Sequence, residues 1–296
     1  MNYLLKCWLT ILVLMCLSCG PSSAVDQQPP ASKAQPSPIS PEQEPTQVNS
    51  VFVEGDTLSY GGYDVVKLNK KVKLEQTSGL TEVSYALLKR KGKVLEKFDG
   101  VYFGVGNATD FGLFPFLGGE AKQLVVSQTI PRGGRHWVVN LSPDFRLVYD
   151  SGAYRVGRED LGVLDIDKDG RYEILQEITA FYGFDHFSSS ETPLPLVVFK
   201  YDEKAEKYLP ANHLFQEYAL KGIESEITSL SPDEKEYLSK RLDIALRYVF
   251  AGKEEKAWAF FDREYKQPDK DKVKSQVKAL LTEHPVYRFI YSKRAT

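Results

Sequence analysis

The chain has 296 residues, with 38 basic and 40 acidic side chains, so it is nearly neutral. This balance, without a basic stripe, argues against nucleic acid as a partner. All three cysteines, Cys7, Cys16 and Cys19, lie near the N-terminus. The rest of the chain therefore has no thiol for a disulfide, a nucleophile or a cysteine metal site.

Residues 1–19 have the order of an export signal. Lys6 is the only charge, an apolar run extends from Cys7 to Leu17, and the small residue Ser18 precedes Cys19. A membrane-spanning helix needs about 20 apolar residues, so this shorter run predicts a signal peptide. We expect an exported protein of the cell envelope.

The end of this signal resembles the cleavage box of bacterial lipoproteins. In that family a small residue precedes a cysteine that receives a lipid, and Ser18 and Cys19 fit these positions. Cys16 departs from the pattern, because the family usually has leucine there. The resemblance implies a lipid on Cys19 and a membrane anchor. The alternative is an ordinary signal that releases a soluble or periplasmic protein.

Residues 20–50 are predicted to be a disordered tether. They are rich in Pro, Ser and Gln, contain seven prolines and have few apolar side chains. Such a segment buries too little surface to offset its ordering entropy, and its prolines make it extended. A tether behind a lipidated cysteine would hold a domain away from the membrane.

Residues 51–209 read as a β-repeat domain. Short Val-, Phe- and Tyr-rich runs alternate with turn residues, and a pattern recurs after 50 residues, with Asp110 equivalent to Asp160. Hairpins are predicted at 85–98, 137–149 and 196–208, and 63–74 is a further candidate. Units of this size with about four strands are typical of propeller blades. The prediction is a partial propeller or a stack of β-meanders.

One acidic loop lies in the second repeat. Asp165, Asp167 and Asp169 alternate, Gly170 permits a tight turn, and Glu173 adds a fourth carboxylate. Calcium prefers such oxygen ligands, so we expect a structural calcium ion here. The alternative is a solvated acidic turn without metal. Residues 162–164 and 173–175 on either side are predicted to be strands, and Gln176 stands where an EF-hand needs glutamate.

This stretch resembles the calcium loops of FG-GAP and VCBS-type propeller repeats, in which an acidic loop joins two strands of a blade. The resemblance implies that the same four carboxylates bind the ion. The first repeat departs from it, since Pro115, Leu117 and Gly119 replace the three aspartates. At most one such site is therefore expected.

Residues 210–296 are predicted to be a small helical domain, so the overall class is α+β, with a mainly β N-terminal part. Ser231 to Glu234 form a capping box, and Gly252 and Pro268 separate three helices. Their predicted apolar positions include Leu242, Val249, Phe261, Val277 and Leu280.

The first two of these helices resemble one tetratricopeptide repeat. Ala245, Tyr248, Gly252, Ala257 and Phe261 have the spacing of that family, whereas Arg241 replaces its tryptophan. The resemblance implies a protein partner for the helices. The alternative is a helical bundle packed on the β region.

No catalytic motif stands out. Asp185-His186 and the segment from Arg132 to His136 are ordinary loop candidates. The sequence therefore favours a non-enzymatic, envelope-anchored binding or assembly protein with a structural calcium loop. The alternative is a secreted hydrolase acting on glycans or peptidoglycan, which would need a pocket lined by paired carboxylates.

Overall fold

The computed structural model describes residues 44–73, 79–100, 107–130, 133–158, 160–184, 187–188, 190–231 and 237–292. Within these ranges the chain forms three antiparallel sheets followed by helices. The predicted α+β class with a mainly β N-terminal part is confirmed. The export signal, Cys19, most of the tether and the segment 232–234 of the predicted capping box lie outside the described residues.

The first strand, β1 (Thr46–Gln47), pairs with a strand of the last sheet and Val48 is buried, so the end of the predicted disordered tether is ordered instead. The first sheet is formed by the next four strands. These are β2 (Thr57–Tyr60), β3 (Tyr63–Lys73), β4 (Leu80–Arg90) and β5 (Lys93–Phe98), paired in chain order. The predicted hairpin at 85–98 is confirmed, with Gly92 in its turn at φ 75°. The hairpin considered at 63–74 is wrong, because Tyr63–Lys73 forms one continuous strand that pairs with both neighbours.

The second sheet is also a meander in chain order. It consists of β6 (Ala108–Phe114), β7 (Gln123–Ile130), β8 (Gly133–Asn140) and β9 (Arg146–Asp150). The β8–β9 hairpin is the one predicted at 137–149. A one-turn helix, α1 (Ser151–Tyr154), leads from this sheet to the third.

The third sheet carries the acidic loop. Its order is β1, β10 (Gly162–Leu164), β11 (Glu173–Glu177), β12 (Leu196–Asp202) and β13 (Lys207–Pro210). Leu164 pairs with Glu173, so the loop joins two adjacent antiparallel strands, as the sequence predicted. The predicted hairpin at 196–208 is β12–β13.

The two sequence repeats occupy equivalent places in consecutive sheets. Gln123 opens β7 and Glu173 opens β11, each after a loop from the preceding strand. The two loops also touch, because the amide of Tyr172 donates to the Phe116 carbonyl at 2.9 Å. A Cβ on Gly118 would lie 2.3 Å from the Gly170 carbonyl oxygen, so this approach requires glycine.

Six helices follow the strands in the described residues. Two are short, α2 (Gln216–Ala219) and α3 (Ile223–Ser229), and four form the C-terminal part: α4 (Tyr237–Phe250), α5 (Glu254–Glu264), α6 (Lys270–Glu283) and α7 (Pro285–Ser292). The apolar stripe of α6 includes Leu281, whereas the predicted Leu280 is 39% exposed. Arg241, at the tryptophan position of the tetratricopeptide pattern, is buried and donates to the carbonyls of Tyr237 and Glu264.

One hydrophobic core is shared by the second sheet, the third sheet and the helices. Its buried side chains come from the second sheet, from one face of the third sheet and from α4 to α7, including Val138, Val163, Phe199, Leu242, Phe261, Val277 and Ile290. The opposite face of the third sheet packs Leu175 and Val198 against Ala211 and Phe215. Glu173 and Glu177 alternate with Leu175 on this second face, which therefore presents acids at both ends.

Candidate functional site

The backbone of the acidic loop coils tightly. Lys168 and Gly170 have φ values of 58° and 85°. The amide of Gly170 donates to Asp165 Oδ2 at 3.1 Å, and the amide of Ile166 donates to Glu173 Oε2 at 2.9 Å. These bonds turn the carboxylates inward.

Three of the four predicted ligands approach one another. Asp165, Asp167 and Glu173 each place one carboxylate oxygen so that all three oxygens lie within 4.8 Å of one another. Asp165 Oδ1 is buried and has no hydrogen-bond partner among the described residues. Asp169 is outside this group of three. The donor set is of the hard oxygen type that calcium takes.

A lysine from the neighbouring strand reaches into the same loop. Lys200 Nζ, on β12, lies 2.7 Å from Asp167 Oδ2, 2.8 Å from Asp169 Oδ2 and 3.2 Å from Glu173 Oε1. Sequence reasoning missed Lys200. Lys200 lies two residues after Val198 in β12, so the sequence indicates that both side chains point to the same face of the sheet. Only the register of β11 and β12 places Lys200 beside Glu173.

Burial and charge shift the pKa values in this loop in opposite directions. Burial raises the pKa of Glu173 to about 7, although the Ile166 amide and Lys200 act to lower it. Partial burial also raises the pKa of Asp169, but hydrogen bonds from Lys200 and the Arg171 amide outweigh it and hold the pKa below its usual value. Burial lowers the pKa of Lys200, and its three carboxylate neighbours outweigh this effect and raise it. Lys200 therefore stays protonated at neutral pH.

A cleft of about 530 Å³ lies at the other end of this sheet face. Arg158, Asp160 and Glu177 supply its charged groups, and its remaining wall includes Tyr182, Tyr218, Leu194 and Leu196. Sequence reasoning missed this cleft, because its wall comes from segments far apart in the chain.

The buried Gln176 holds the charged segment in place. Its Oε1 accepts from the Arg158 amide at 3.2 Å, and its Nε2 donates to the Asp160 carbonyl at 2.9 Å. Gln176 and Glu177 are consecutive in β11, so their side chains point to opposite faces. The C-terminal end of β11 therefore holds the backbone at Arg158 and Asp160 through Gln176. The next residue, Glu177, lies in the wall of the cleft.

Glu177 has an unusual environment. Its Oε1 lies 3.0 Å from Arg158 Nη1, while its Oε2 is buried and has no hydrogen-bond partner among the described residues. Burial raises the pKa of Glu177 to about 7; Arg158 lowers it and Asp243 raises it further. A half-buried acid with a shifted pKa in a cleft is a candidate functional group.

The described residues among the other sequence candidates do not line this cleft. His136 is buried between Ser127 Oγ and the Arg158 carbonyl, each 2.8 Å from a ring nitrogen, and burial lowers its pKa to about 4. Arg135 makes two bonds to Asp150, at 3.0 and 2.8 Å. Arg132, Asp185 and His186 lie outside the described residues.

No family model, curated protein or solved structure matches the chain. The lipoprotein, FG-GAP/VCBS and tetratricopeptide resemblances therefore rest on their motifs alone. In the described part of the chain, none of the helices combines the length and apolar character needed to cross a membrane.

Proposed function

We propose that this protein is an exported binding protein, held to a membrane by a lipid on Cys19, with its ligand site in the Glu177 cleft. The observation that carries the proposal is Glu177 Oε2, a buried oxygen without a hydrogen-bond donor among the described residues. An unsatisfied buried polar atom costs about 1–3 kcal/mol, and a ligand donor that draws the Glu177 carboxylate toward the cleft would remove that cost.

The composition of the cleft also suits a ligand. Arg158 and Asp160 offer charged contacts, and Leu194, Leu196 and Tyr218 supply an apolar wall. Its volume of about 530 Å³ lies within the range of roughly 300–1,000 Å³ found for small-molecule sites.

The binding role is tested by thermal unfolding of the full chain in detergent with a panel of amines, amino acids, oligosaccharides, peptidoglycan fragments and organic phosphates. We expect at least one class to raise Tm in the wild type and in Glu120→Gln, a control in an exposed loop. The shift should be lost in Tyr218→Ala. A panel without any Tyr218-dependent shift would contradict the role.

The anchor is tested by labelling cells with a fatty acid and separating their membranes. Wild type and Cys16→Ser should carry label and sediment with membranes, because the motif places the lipid on Cys19. Cys19→Ser should carry no label. Equal labelling of Cys16→Ser and Cys19→Ser would show that Cys19 does not carry the lipid.

A second candidate is a hydrolase acting on glycans or peptidoglycan. The observation that favours it is the presence of two carboxylates, Asp160 and Glu177, in one cleft, with the Glu177 pKa near 7 as a general acid requires. Incubation with defined glycans and peptidoglycan decides the matter. Product formed by wild type and lost in Glu177→Gln would support catalysis, and absence of product from all substrates would contradict it.

For the acidic loop we propose a structural calcium role in competition with Lys200. Asp165, Asp167, Asp169 and Glu173 are ligands of the right chemistry, and an ion between them would hold the ends of β10 and β11 together. Lys200 Nζ lies among three of these carboxylates. Calcium would therefore have to displace the ammonium group.

For the helical part we propose a protein partner that contacts α6. The apolar faces of α4 to α7 contribute to the shared core, so a partner would use outer positions such as the exposed Leu280. Crosslinking in cells with wild type and Leu280→Arg tests this. The same crosslinked species at the same yield in both would exclude this position.

A further inference from the structure

We infer that the Glu177 cleft takes a ligand bearing an alkylammonium group, such as a lysine side chain or a free diamine. This inference rests on the proposed binding function and names the chemistry of its ligand. The ammonium would pair with the Glu177 carboxylate, with Oε2 turning toward the cleft, and its methylene chain would lie on the apolar wall of the cleft.

The charges around Glu177 favour a cation. Arg158 and Asp160 line the same cleft, Tyr182 and Tyr218 are the other titratable groups of its described lining, and Asp243 acts on Glu177 from α4. The Arg158 side chain is 61% exposed, so solvent screens part of its charge. The described lining thus holds two acids, Asp160 and Glu177, against one base.

Asp243 and its neighbour Glu226 already share a base. Arg247 Nη1 lies 2.7 Å from Glu226 Oε1 and 4.0 Å from Asp243 Oδ2. These three groups lie outside the described lining of the cleft, which keeps its excess of one acid. An anionic ligand would add to this excess of negative charge.

The donor geometry points the same way. Arg158 engages Glu177 Oε1 and leaves Oε2 buried without a donor among the described residues. An ammonium has three N–H donors, enough to reach Oε2 and a second oxygen such as a carboxylate of Asp160. An aromatic face within about 6 Å adds a cation–π attraction, and Tyr182 and Tyr218 are in the wall.

The apolar wall suits a short aliphatic chain. Leu175, Leu194 and Leu196 line the cleft beside the charged groups. Burial of methylene groups against these side chains is favourable, because it removes apolar surface from water. A neutral sugar could also donate to the Glu177 carboxylate, but it would not balance the excess of acids in the described lining, so a sugar is an alternative outcome of the test.

The test compares two probes that differ only in the ammonium group: Nα-acetyl-lysine amide and Nα-acetyl-norleucine amide. Binding to the full chain in detergent is measured by isothermal titration at pH 8. We expect the lysine probe to bind at least tenfold more tightly than the norleucine probe. Glu177→Gln should lose this preference, and Glu120→Gln should keep it.

A pH series distinguishes pairing of the ammonium with Glu177 from apolar packing of the aliphatic chain alone. Between pH 8 and pH 6 Glu177 gains a proton, because its pKa is about 7, and Asp243, with a pKa raised by burial to about 6, begins to do so. Affinity for the lysine probe should fall severalfold over this range in wild type, and much less in Glu177→Gln.

The outcomes distinguish the two proposals. Equal affinity for both probes would overturn the ammonium assignment. No affinity for the lysine probe, with a Tyr218-dependent Tm shift from an oligosaccharide, would overturn the assignment and keep the binding function. No binding of any probe or panel compound would overturn both.

Discussion

At the scale of single residues, Lys200 pairs with three of the carboxylates that the sequence predicted to bind calcium. The spacing of its aspartates was readable in the sequence, and three carboxylates do converge. The ammonium that pairs with Asp167, Asp169 and Glu173 comes from β12, 27 residues after Glu173. Residue spacing shows which acids are close in the chain, whereas the partner of these acids depends on strand register.

Lys200→Gln should increase the affinity of the loop for calcium at least tenfold. The substitution removes the positive charge that calcium must displace and leaves the four carboxylates repelling one another without a cation. Without calcium the variant should melt below the wild type. Thermal unfolding in calcium, EGTA and magnesium checks this, with Lys204→Gln in the exposed β12–β13 turn as control. An equal calcium effect in wild type and Lys200→Gln would exclude competition.

Glu177→Gln should become more stable relative to the wild type as the pH rises from 5 to 8. The pKa of Glu177 is about 7 in the folded chain, against an ordinary value of 4.5 for glutamate. Between these pH values the folded state binds more protons than the unfolded state, so stability falls as the pH rises. The variant lacks this loss. The difference in the free energy of unfolding between variant and wild type should therefore change by on the order of 2 kcal/mol.

Urea unfolding at pH 5, 6, 7 and 8 measures this difference. Glu173 and Asp243 remain in both proteins, so their own titration largely cancels in the comparison. Glu120→Gln should differ from the wild type by the same amount at every pH. A flat difference for Glu177→Gln would show that Glu177 ionises as an ordinary surface acid.

At the scale of elements, local patterns predicted the hairpins well. Gly92 and alternating apolar residues marked β4–β5, and the strands beside the acidic loop were read from their Val and Ile content. Residues 63–73 were harder, because polar residues interrupt a strand that pairs on both sides. The cleft could not be predicted, since its wall joins residues from Pro45 to Tyr218 through tertiary packing.

Gly118→Ala should destabilise the protein more than Gly119→Ala. Both glycines have positive φ, 74° and 71°, so alanine is strained at either position. Only at Gly118 does the new Cβ also meet the Gly170 carbonyl oxygen, at 2.3 Å, while the Cβ at Gly119 meets nothing within 4 Å. We expect the free energy of unfolding to fall by about 1 kcal/mol in Gly119→Ala and by about 3 kcal/mol in Gly118→Ala. Equal losses in urea unfolding would show that the two loops do not pack together.

At the scale of the whole molecule, the shared core ties the helices to the sheets. Side chains of α4 to α7 contact those of the second and third sheets in one buried cluster. The sequence placed a boundary near residue 209, where the strand pattern ends and helical patterns follow. Composition marks such a change in secondary structure, but it does not show whether the two parts bury their apolar faces against each other.

Val277→Ala should lower the stability of strands and helices together. Val277 is fully buried in α6, and its truncation should cost about 1–2 kcal/mol. Hydrogen exchange should show the same loss in β11 and in α4, because one core unfolds as a unit. A chain ending at residue 225 should accordingly fail to unfold cooperatively. Loss of protection in the helices alone would show that they unfold independently.

The position of Lys200 also affects the conditions under which the acidic loop can form. A free ion is subject to dilution and chelation, whereas a side chain on the neighbouring strand is present at the high effective concentration of a tethered group. Once β12 pairs with β11, the ammonium lies beside Asp167, Asp169 and Glu173. The loop therefore carries a counter-ion that is synthesised with the chain, and it can close in surroundings that contain no divalent metal.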